Sequence, residues 1–154
     1  MTEEKITVTF HPDDRTSYTY TLPDVVTISE RTINKDLEGH SAKFLWFSSL
    51  HARLVARRDY LAGKLKGLMA EREITYRDEA ELRGKKTTEA SIKAMLDTDA
   101  NVQQFRSYVL EAENEVNMCQ VIKDSFFHQQ QCLIALGANM RQEMKSLSAD
   151  NIRE

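Results

Sequence analysis

The position of the prolines is the feature that most constrains how this chain can fold. Pro12 and Pro23 are its two prolines, and none follows in the rest of the 154 residues, which include only five glycines. Proline breaks helix interiors, so the long stretch after Pro23 lacks the strongest helix breaker. The sequence therefore predicts a turn-containing front followed by a long helical region.

The first 35 residues alternate between apolar or aromatic and polar side chains, as half-buried strands do. This alternation is clearest in ITVTF (6–10) and YTYTL (18–22), and the intervening HPDDRTS favours a turn. We predict a β-hairpin here, with VVTIS (25–29) as a candidate third strand. Because so small a sheet is not stable alone, we expect it to pack on helices or on another subunit.

After the hairpin the apolar residues recur every three or four positions, which is the period of a helix. We predict a first long helix with Asp36 as its N-cap, running to about Tyr76, with Gly63 and Gly67 as candidate interruptions. A charged link over 77–88 follows, and its RGKKTT end is the expected loop, in which glycine can terminate a helix.

A short second helix and a long third helix complete the prediction. The second covers 89–97 with Thr88 as its cap, and Asp99 caps the third. The third helix is expected to reach Gly137 and to continue to about Met144.

The predicted fold class is mainly α, a long antiparallel helical hairpin with a short intervening helix, plus the N-terminal β-hairpin, in an oligomeric assembly. The expected domains are a β-hairpin appendage over 1–35, a helical domain over 36–145 and a frayed tail over 146–154. Apolar stripes with coiled-coil spacing supply the positions for oligomerisation or the core. These are Phe47, Leu50, Leu54, Leu61, Leu68, Val102, Phe105, Val109, Val116, Phe126 and Leu133.

Polar residues interrupt both stripes. Arg57 and Lys64 occupy stripe positions of the first helix, and Lys123 and Gln130 occupy those of the third. Further apolar residues lie off the stripes and need partners, which argues for self-association unless the β-hairpin covers them. They are Phe44, Trp46, Leu65, Ile122, Phe127 and Ile134.

The sequence has no recognisable catalytic, nucleotide-binding or metal-binding motif, so we expect no enzyme activity, metal or cofactor. It has no apolar run near the roughly 20 residues that span a bilayer, and no signal peptide. We therefore expect no membrane partner and a cytoplasmic location. Cys119 and Cys132 would lie about 20 Å apart on one helix, so both are expected to be buried, reduced thiols.

Positive charge is concentrated in the segment 43–66. It carries six cations and one anion, Asp59, a balance of +5, whereas the whole chain has −3, so the rest carries −8. A clustered basic stretch indicates a polyanionic partner even when the pI is low, and aromatic side chains beside it can stack on bases. The candidate nucleic-acid contacts are Lys43, Arg53, Arg57, Arg58, Tyr60, Lys64 and Lys66.

Each of these residues also has a structural interpretation. Lys64 and Lys66 could lay their methylene stems along the core with the charge in water, and Trp46 favours a core position. Arg57 must find an anion, which is either a carboxylate of a neighbouring helix or a phosphate from outside. The sequence leaves these two alternatives open.

Two segments resemble one known family. The segment ARRDYLAG (56–63) resembles the Ala-Arg-x-Asp-Tyr-Tyr-x-Gly signature of the UvsY-type phage recombination mediator proteins. The segment SIKAMLDTDANV (91–102) resembles a second pattern of that family, and the similarity covers roughly 36–145. In the family, a lysine and an arginine of the first motif contact DNA. The arginine matches Arg57, whereas Val55 stands at the lysine position.

The resemblance implies helical subunits in a ring-like homo-oligomer of six or seven copies that binds single-stranded DNA. The expected function is a recombination mediator that loads a phage or host recombinase and displaces single-strand-binding protein, in the host cytoplasm if the protein is phage-encoded. Arg58 adds a cation that the motif lacks, and residues 1–35 have no counterpart in the family. The alternative is a helical scaffold or assembly protein that has inter-helix salt bridges, to EAENE (111–115) for example, and binds no DNA.

Overall fold

The computed structural model of the protein describes residues 5–22 and 33–150, with side chains over 5–22 and 35–146. It is mainly helical, at 81%, with three helices and an N-terminal antiparallel two-stranded sheet. The predicted mainly α fold with a β-hairpin is confirmed at this level. The elements are β1 (Ile6–Asp13), β2 (Thr16–Leu22), α1 (Ile33–Leu82), α2 (Glu89–Thr98) and α3 (Ala100–Asp150).

The β-hairpin has longer strands and a tighter turn than predicted. Because β1 continues through Asp13 and β2 starts at Thr16, only two residues turn the chain. The hydroxyls of Thr9 and Thr19 are hydrogen-bonded across the strands at 3.1 Å. The candidate third strand at 25–29 lies outside the described residues.

Helix α1 is longer than predicted at both ends. It begins at Ile33, so Asp36 lies in the first turn, where its negative charge suits the helix N-terminus, and the predicted cap at Asp36 is wrong. The helix runs without a break through Gly63 and Gly67 and ends at Leu82, so the first half of the predicted link is helical.

Gly84 terminates α1 as predicted, and it does so through a positive φ of 66°. Its N–H donates to the carbonyl of Glu81 at 2.9 Å, and the N–H of Lys85 donates to the carbonyl of Ala80 at 2.9 Å. This pair of hydrogen bonds satisfies carbonyls at the helix end and needs a left-handed residue, for which glycine is favoured.

The predicted caps of α2 and α3 are confirmed. The Thr88 side chain accepts a hydrogen bond from the N–H of Ser91, and the Ser91 side chain accepts one from the N–H of Thr88. The Asp99 carboxylate accepts hydrogen bonds from the N–H groups of Asn101 at 2.8 Å and Val102 at 3.1 Å. Helix α3 then continues to Asp150, beyond its predicted end near Met144.

Two compact units divide the described chain, and each contains parts of α1 and α3. The first unit consists of residues 5–10, 17–22, 33–51 and 118–150, and the second unit of residues 11–16 and 52–117.

An aromatic cluster forms the core of the first unit. The ring of Phe126 lies 5.3 Å from that of Phe47, and Nε2 of His40 donates to the carbonyl of Phe126 at 2.8 Å. Tyr20 of β2 covers Phe47 at 4.9 Å and accepts a hydrogen bond from Nε1 of Trp46 at 2.6 Å. Strand β2 is thus held on α1 by a ring contact and a hydrogen bond.

Helix α2 closes the core of the second unit. Its buried Ile92 and Leu96, with Val102 of α3, pack against partly buried residues of α1, namely Leu65, Leu68, Met69 and Tyr76. The Tyr76 hydroxyl donates to the Asp99 carboxylate at 2.5 Å, and this hydrogen bond is the main reason that the pKa of Asp99 lies below its usual value.

Most residues of the two predicted apolar stripes, on α1 and α3, are buried within a single chain. The buried members are Phe47, Leu50, Leu54, Val102, Val116, Phe126 and Leu133. The partly buried members are Leu61, Leu68, Phe105 and Val109.

Between Cys119 and Leu133, the buried positions of α3 differ from the predicted stripe at two places. Ile122 and Gln129 are buried, whereas the predicted Lys123 is partly buried and Gln130 is exposed. Two three-residue steps therefore follow one another, from Val116 to Cys119 and on to Ile122. A helix of 3.6 residues per turn accommodates such a shift, and it removes a lysine from the core.

The two cysteines differ in exposure, which corrects the prediction that both are buried. Cys119 is buried and its thiol donates to the carbonyl of Phe47 at 3.6 Å, whereas Cys132 is exposed. Burial raises the pKa of Cys119 from 9.0 to about 11.

We expect native protein to take up one equivalent of a maleimide reagent rapidly, at Cys132. Cys119 should react far more slowly, because burial raises the pKa of its thiol to about 11 and also blocks access of the reagent. Mass spectrometry of peptides from timed samples measures both rates. The Cys132→Ser variant should remain unlabelled until denaturant is added, and rapid labelling of that variant would contradict the buried position of Cys119.

Candidate nucleic-acid interface

One face of α1 in the second unit carries three cations and an aromatic side chain. Arg53, Arg57, Tyr60 and Lys64 follow each other at steps of four, three and four residues, so they share a face of the helix. We call these four residues the cationic stripe. Tyr60 is 61% exposed, and the ammonium group of Lys64 lies 5.5 Å from the centre of its ring.

The tip of the β-hairpin, residues 11–16, contacts the first half of the cationic stripe. Nη2 of Arg53 donates to Oδ2 of Asp13 at 2.8 Å. Nη1 of Arg57 donates to the carbonyl of His11 at 2.5 Å, and its Nη2 lies 3.6 Å from Oδ1 of Asp14. The hairpin tip thus supplies an anionic partner to both arginines.

His11 also attaches the hairpin tip to α3. Its backbone N–H donates to Oε2 of Glu115 at 2.7 Å, and its Nδ1 donates to Oε1 at 2.8 Å. One carboxylate therefore takes two hydrogen bonds from the same residue, which fixes the end of β1 at this position. We call this pair of hydrogen bonds the latch.

The contacts of the hairpin tip remain open to water. The side chain of Arg57 is 24% exposed, and that of its partner Asp14 is 93% exposed. The pKa of Asp13 lies below its usual value, mainly because the Thr16 hydroxyl and the backbone N–H of Arg15 hydrogen-bond its carboxylate. Asp13 is thus held in its charged form at neutral pH.

A cavity of about 550 Å³ lies beside the stripe. Aromatic rings, two cations and four titratable groups of the hairpin tip and α3 line it, along with Leu61 and Ala112. The aromatic and cationic residues are Arg57, Tyr60, Lys64, Phe105 and Tyr108. The titratable groups are His11, Asp14, Glu111 and Glu115.

The remaining candidate contacts lie elsewhere. Arg58 is on another face of α1, where it binds the neighbouring Asp59 through Nε at 3.0 Å and Nη2 at 2.7 Å. Lys66 is exposed beside a separate cavity next to Leu65 and Leu96. Lys43 is exposed and belongs to the first unit.

Sequence reasoning missed the residues that meet the stripe. Of the two anions left open for Arg57, the structure supplies a carboxylate, but from the hairpin rather than from 111–115. The residue types of HPDD predict only a turn, whereas the contact of Asp13 with Arg53 joins residues 40 positions apart. No local pattern signals a contact of that separation.

Within residues 5–22 and 33–150, none of the helices contains an apolar segment of the length needed to cross a membrane. Comparison of the chain with protein-family models, curated proteins and solved structures finds no match.

Proposed function

We propose that this chain is a non-enzymatic recombination mediator. It binds single-stranded DNA as a homo-oligomer, helps to displace single-strand-binding protein and loads a recombinase. The observation that carries the proposal is the cationic stripe, in which Tyr60 stands exposed between Arg57 and Lys64 on one helix face.

The chemistry of the stripe suits a single strand rather than a duplex. Guanidinium and ammonium groups bind phosphates, and an exposed aromatic ring stacks on an unpaired base of any identity. The motif that resembles the mediator family contains Arg57 and Tyr60. Binding of this kind depends on charge and stacking, so it does not require a specific base sequence.

Exposed apolar residues in the first unit support self-association. Large apolar side chains of α1 and α3 are exposed to solvent, and a neighbouring subunit that buried them would gain free energy from the hydrophobic effect. They include Leu45, Val121, Phe127, Ile134 and Met144. In an oligomer the few contacts of each subunit are repeated along one strand, and effective concentration then raises avidity by about 10² or more.

The alternative function, a helical scaffold without DNA binding, draws support from the intrachain ion pairs. Arg53, Arg57 and Arg58 each have a carboxylate partner within the second unit. The mediator is favoured over the scaffold because those pairs are partly exposed, and exposed ion pairs contribute little stability. The scaffold predicts that wild-type protein binds no single-stranded DNA.

Lys64→Ala and Lys66→Ala form a matched pair that tests the proposal. Both remove one exposed lysine from α1, but only Lys64 lies on the stripe. For Lys64→Ala we expect the slope of log affinity for oligo(dT) against log salt to fall by about 0.7 for each subunit engaged. Lys66→Ala should keep the wild-type slope. Fluorescence anisotropy of labelled oligo(dT) over a salt series measures this.

Tyr60→Ala should weaken binding by about tenfold, since stacking on one base contributes about 1–3 kcal/mol. Light scattering on the same samples shows whether the oligomer is intact.

Equal loss of affinity in the Lys64 and Lys66 variants would show that the DNA site is not on the cationic stripe. Absence of binding by the wild type would leave the scaffold as the function.

A further inference from the structure

The carboxylates of the hairpin tip occupy the guanidinium groups that the proposed function assigns to DNA. Arg53 is held by Asp13 at 2.8 Å, and Arg57 by Asp14 at 3.6 Å and by the carbonyl of His11. A carboxylate and a phosphate are both oxygen anions that a guanidinium binds through its N–H groups. A strand and the hairpin tip therefore compete for the same donors.

We propose that the hairpin tip is an autoinhibitory plug, which covers Arg53 and Arg57 and is displaced by single-stranded DNA. This inference rests on the proposed function and adds a regulatory step to it. In the absence of DNA, the hairpin tip contacts Arg53 and Arg57, so Tyr60 and Lys64 are the members of the cationic stripe that a DNA strand reaches first. When a strand displaces the tip, the two arginines exchange carboxylates for phosphates.

The ion pairs of the plug are of the kind that a polyanion can displace. Asp14 is 93% exposed and its contact with Arg57 is long, so water screens the interaction strongly. Single-stranded DNA offers a run of phosphates, and its binding gains free energy from released counterions. Two exposed carboxylates on a short turn gain nothing comparable.

The latch between His11 and Glu115 explains how the plug stays in place without DNA. Both hydrogen bonds go to one carboxylate on α3, at 2.7 and 2.8 Å. Glu115 binds His11 through both of its carboxylate oxygens, so its part is to hold the tip. Weakening the latch should therefore release the plug while both arginines remain intact.

The plug is tested by Asp13→Asn/Asp14→Asn, which removes both charges and keeps an oxygen at Asp13 to accept from the N–H of Arg15. We expect this variant to bind oligo(dT) about three- to tenfold more tightly than wild type at low salt. The control is Asp78→Asn/Glu81→Gln, which removes two exposed charges from α1 of the same unit without touching the tip. It corrects for the change in net charge.

The latch is tested in the same assay by Glu115→Gln, with Glu111→Gln as its control. Both carboxylates line the cavity, but only Glu115 binds His11. We expect tighter DNA binding for Glu115→Gln than for Glu111→Gln. In wild-type protein, addition of oligo(dT) should speed hydrogen exchange of the tip amides, including that of His11.

The outcomes separate this inference from the proposed function. If the wild type binds oligo(dT) but the tip variants bind no more tightly than their controls, the plug is wrong and the mediator stands. Unchanged exchange at the tip on DNA binding overturns the plug in the same way. If neither wild type nor variants bind oligo(dT), the proposed function and the plug fail together.

Discussion

Replacing Phe126 with alanine should lower the free energy of unfolding by about 3–5 kcal/mol. Phe126 is fully buried, its ring contacts those of Phe47 and His40, and its carbonyl accepts the hydrogen bond from His40. Alanine would leave a cavity in the middle of this cluster, since rings on both helices lose their neighbour. Urea unfolding followed by circular dichroism, at one fixed protein concentration, measures the change.

Phe127→Ala is the control, because it removes the same ring from the adjacent position, where the side chain is 57% exposed. We expect it to change the unfolding free energy by less than about 1 kcal/mol in the dissociated chain. Equal losses for the two variants would show that the first unit does not pack around Phe126. A loss for Phe127→Ala that grows with protein concentration would instead place Phe127 between subunits.

Ile122→Ala should lower the free energy of unfolding by about 2–5 kcal/mol, whereas Lys123→Ala should stay within about 0.5 kcal/mol of wild type. Ile122 is 1% exposed, whereas the predicted apolar stripe of α3 has Lys123 at this turn instead. The same urea measurement compares the two variants. A larger loss for Lys123→Ala than for Ile122→Ala would restore the predicted stripe and contradict the packing of the first unit.

The parts of the fold that could be predicted are those whose causes are local. Thr88 and Asp99 cap helices through hydrogen bonds to residues two or three positions away, and Gly84 ends α1 through its own backbone angle. Strand alternation likewise needs only neighbouring residues. Each of these signals is visible within a few letters of sequence.

The errors arose where packing overrides local preference. The predicted helix end at Tyr76 was too early, because Tyr76 packs against the core that contains Ile92 and Leu96 of α2, and Arg77 pairs with Glu89 at the start of α2. The choice of Ile122 over its neighbour follows from what α3 must bury, which periodicity alone does not decide. A repeat of three and four residues fits both positions until the partner helix is known.

The candidate site could be predicted in part. Arg53, Arg57, Tyr60 and Lys64 were identified from charge and from the family resemblance, and the helix places them on one face. Arg58 and Lys66 lie on other faces of α1, and this could also be predicted from the spacing of the residues along the helix. The hairpin tip was not foreseen, because His11 and Glu115 are 104 positions apart.

The hydrogen bond between Trp46 and Tyr20 makes the fluorescence of Trp46 sensitive to the docking of β2 on α1. Trp46 is the only tryptophan in the chain, and its indole lies edge-on to Tyr18 as well as donating to Tyr20. Trp46 is 42% exposed when β2 is docked, and detachment of the strands would remove its hydrogen bond and ring contact and expose the indole further, so its emission would change. The docking of β2 can therefore be followed by intrinsic fluorescence, without a label.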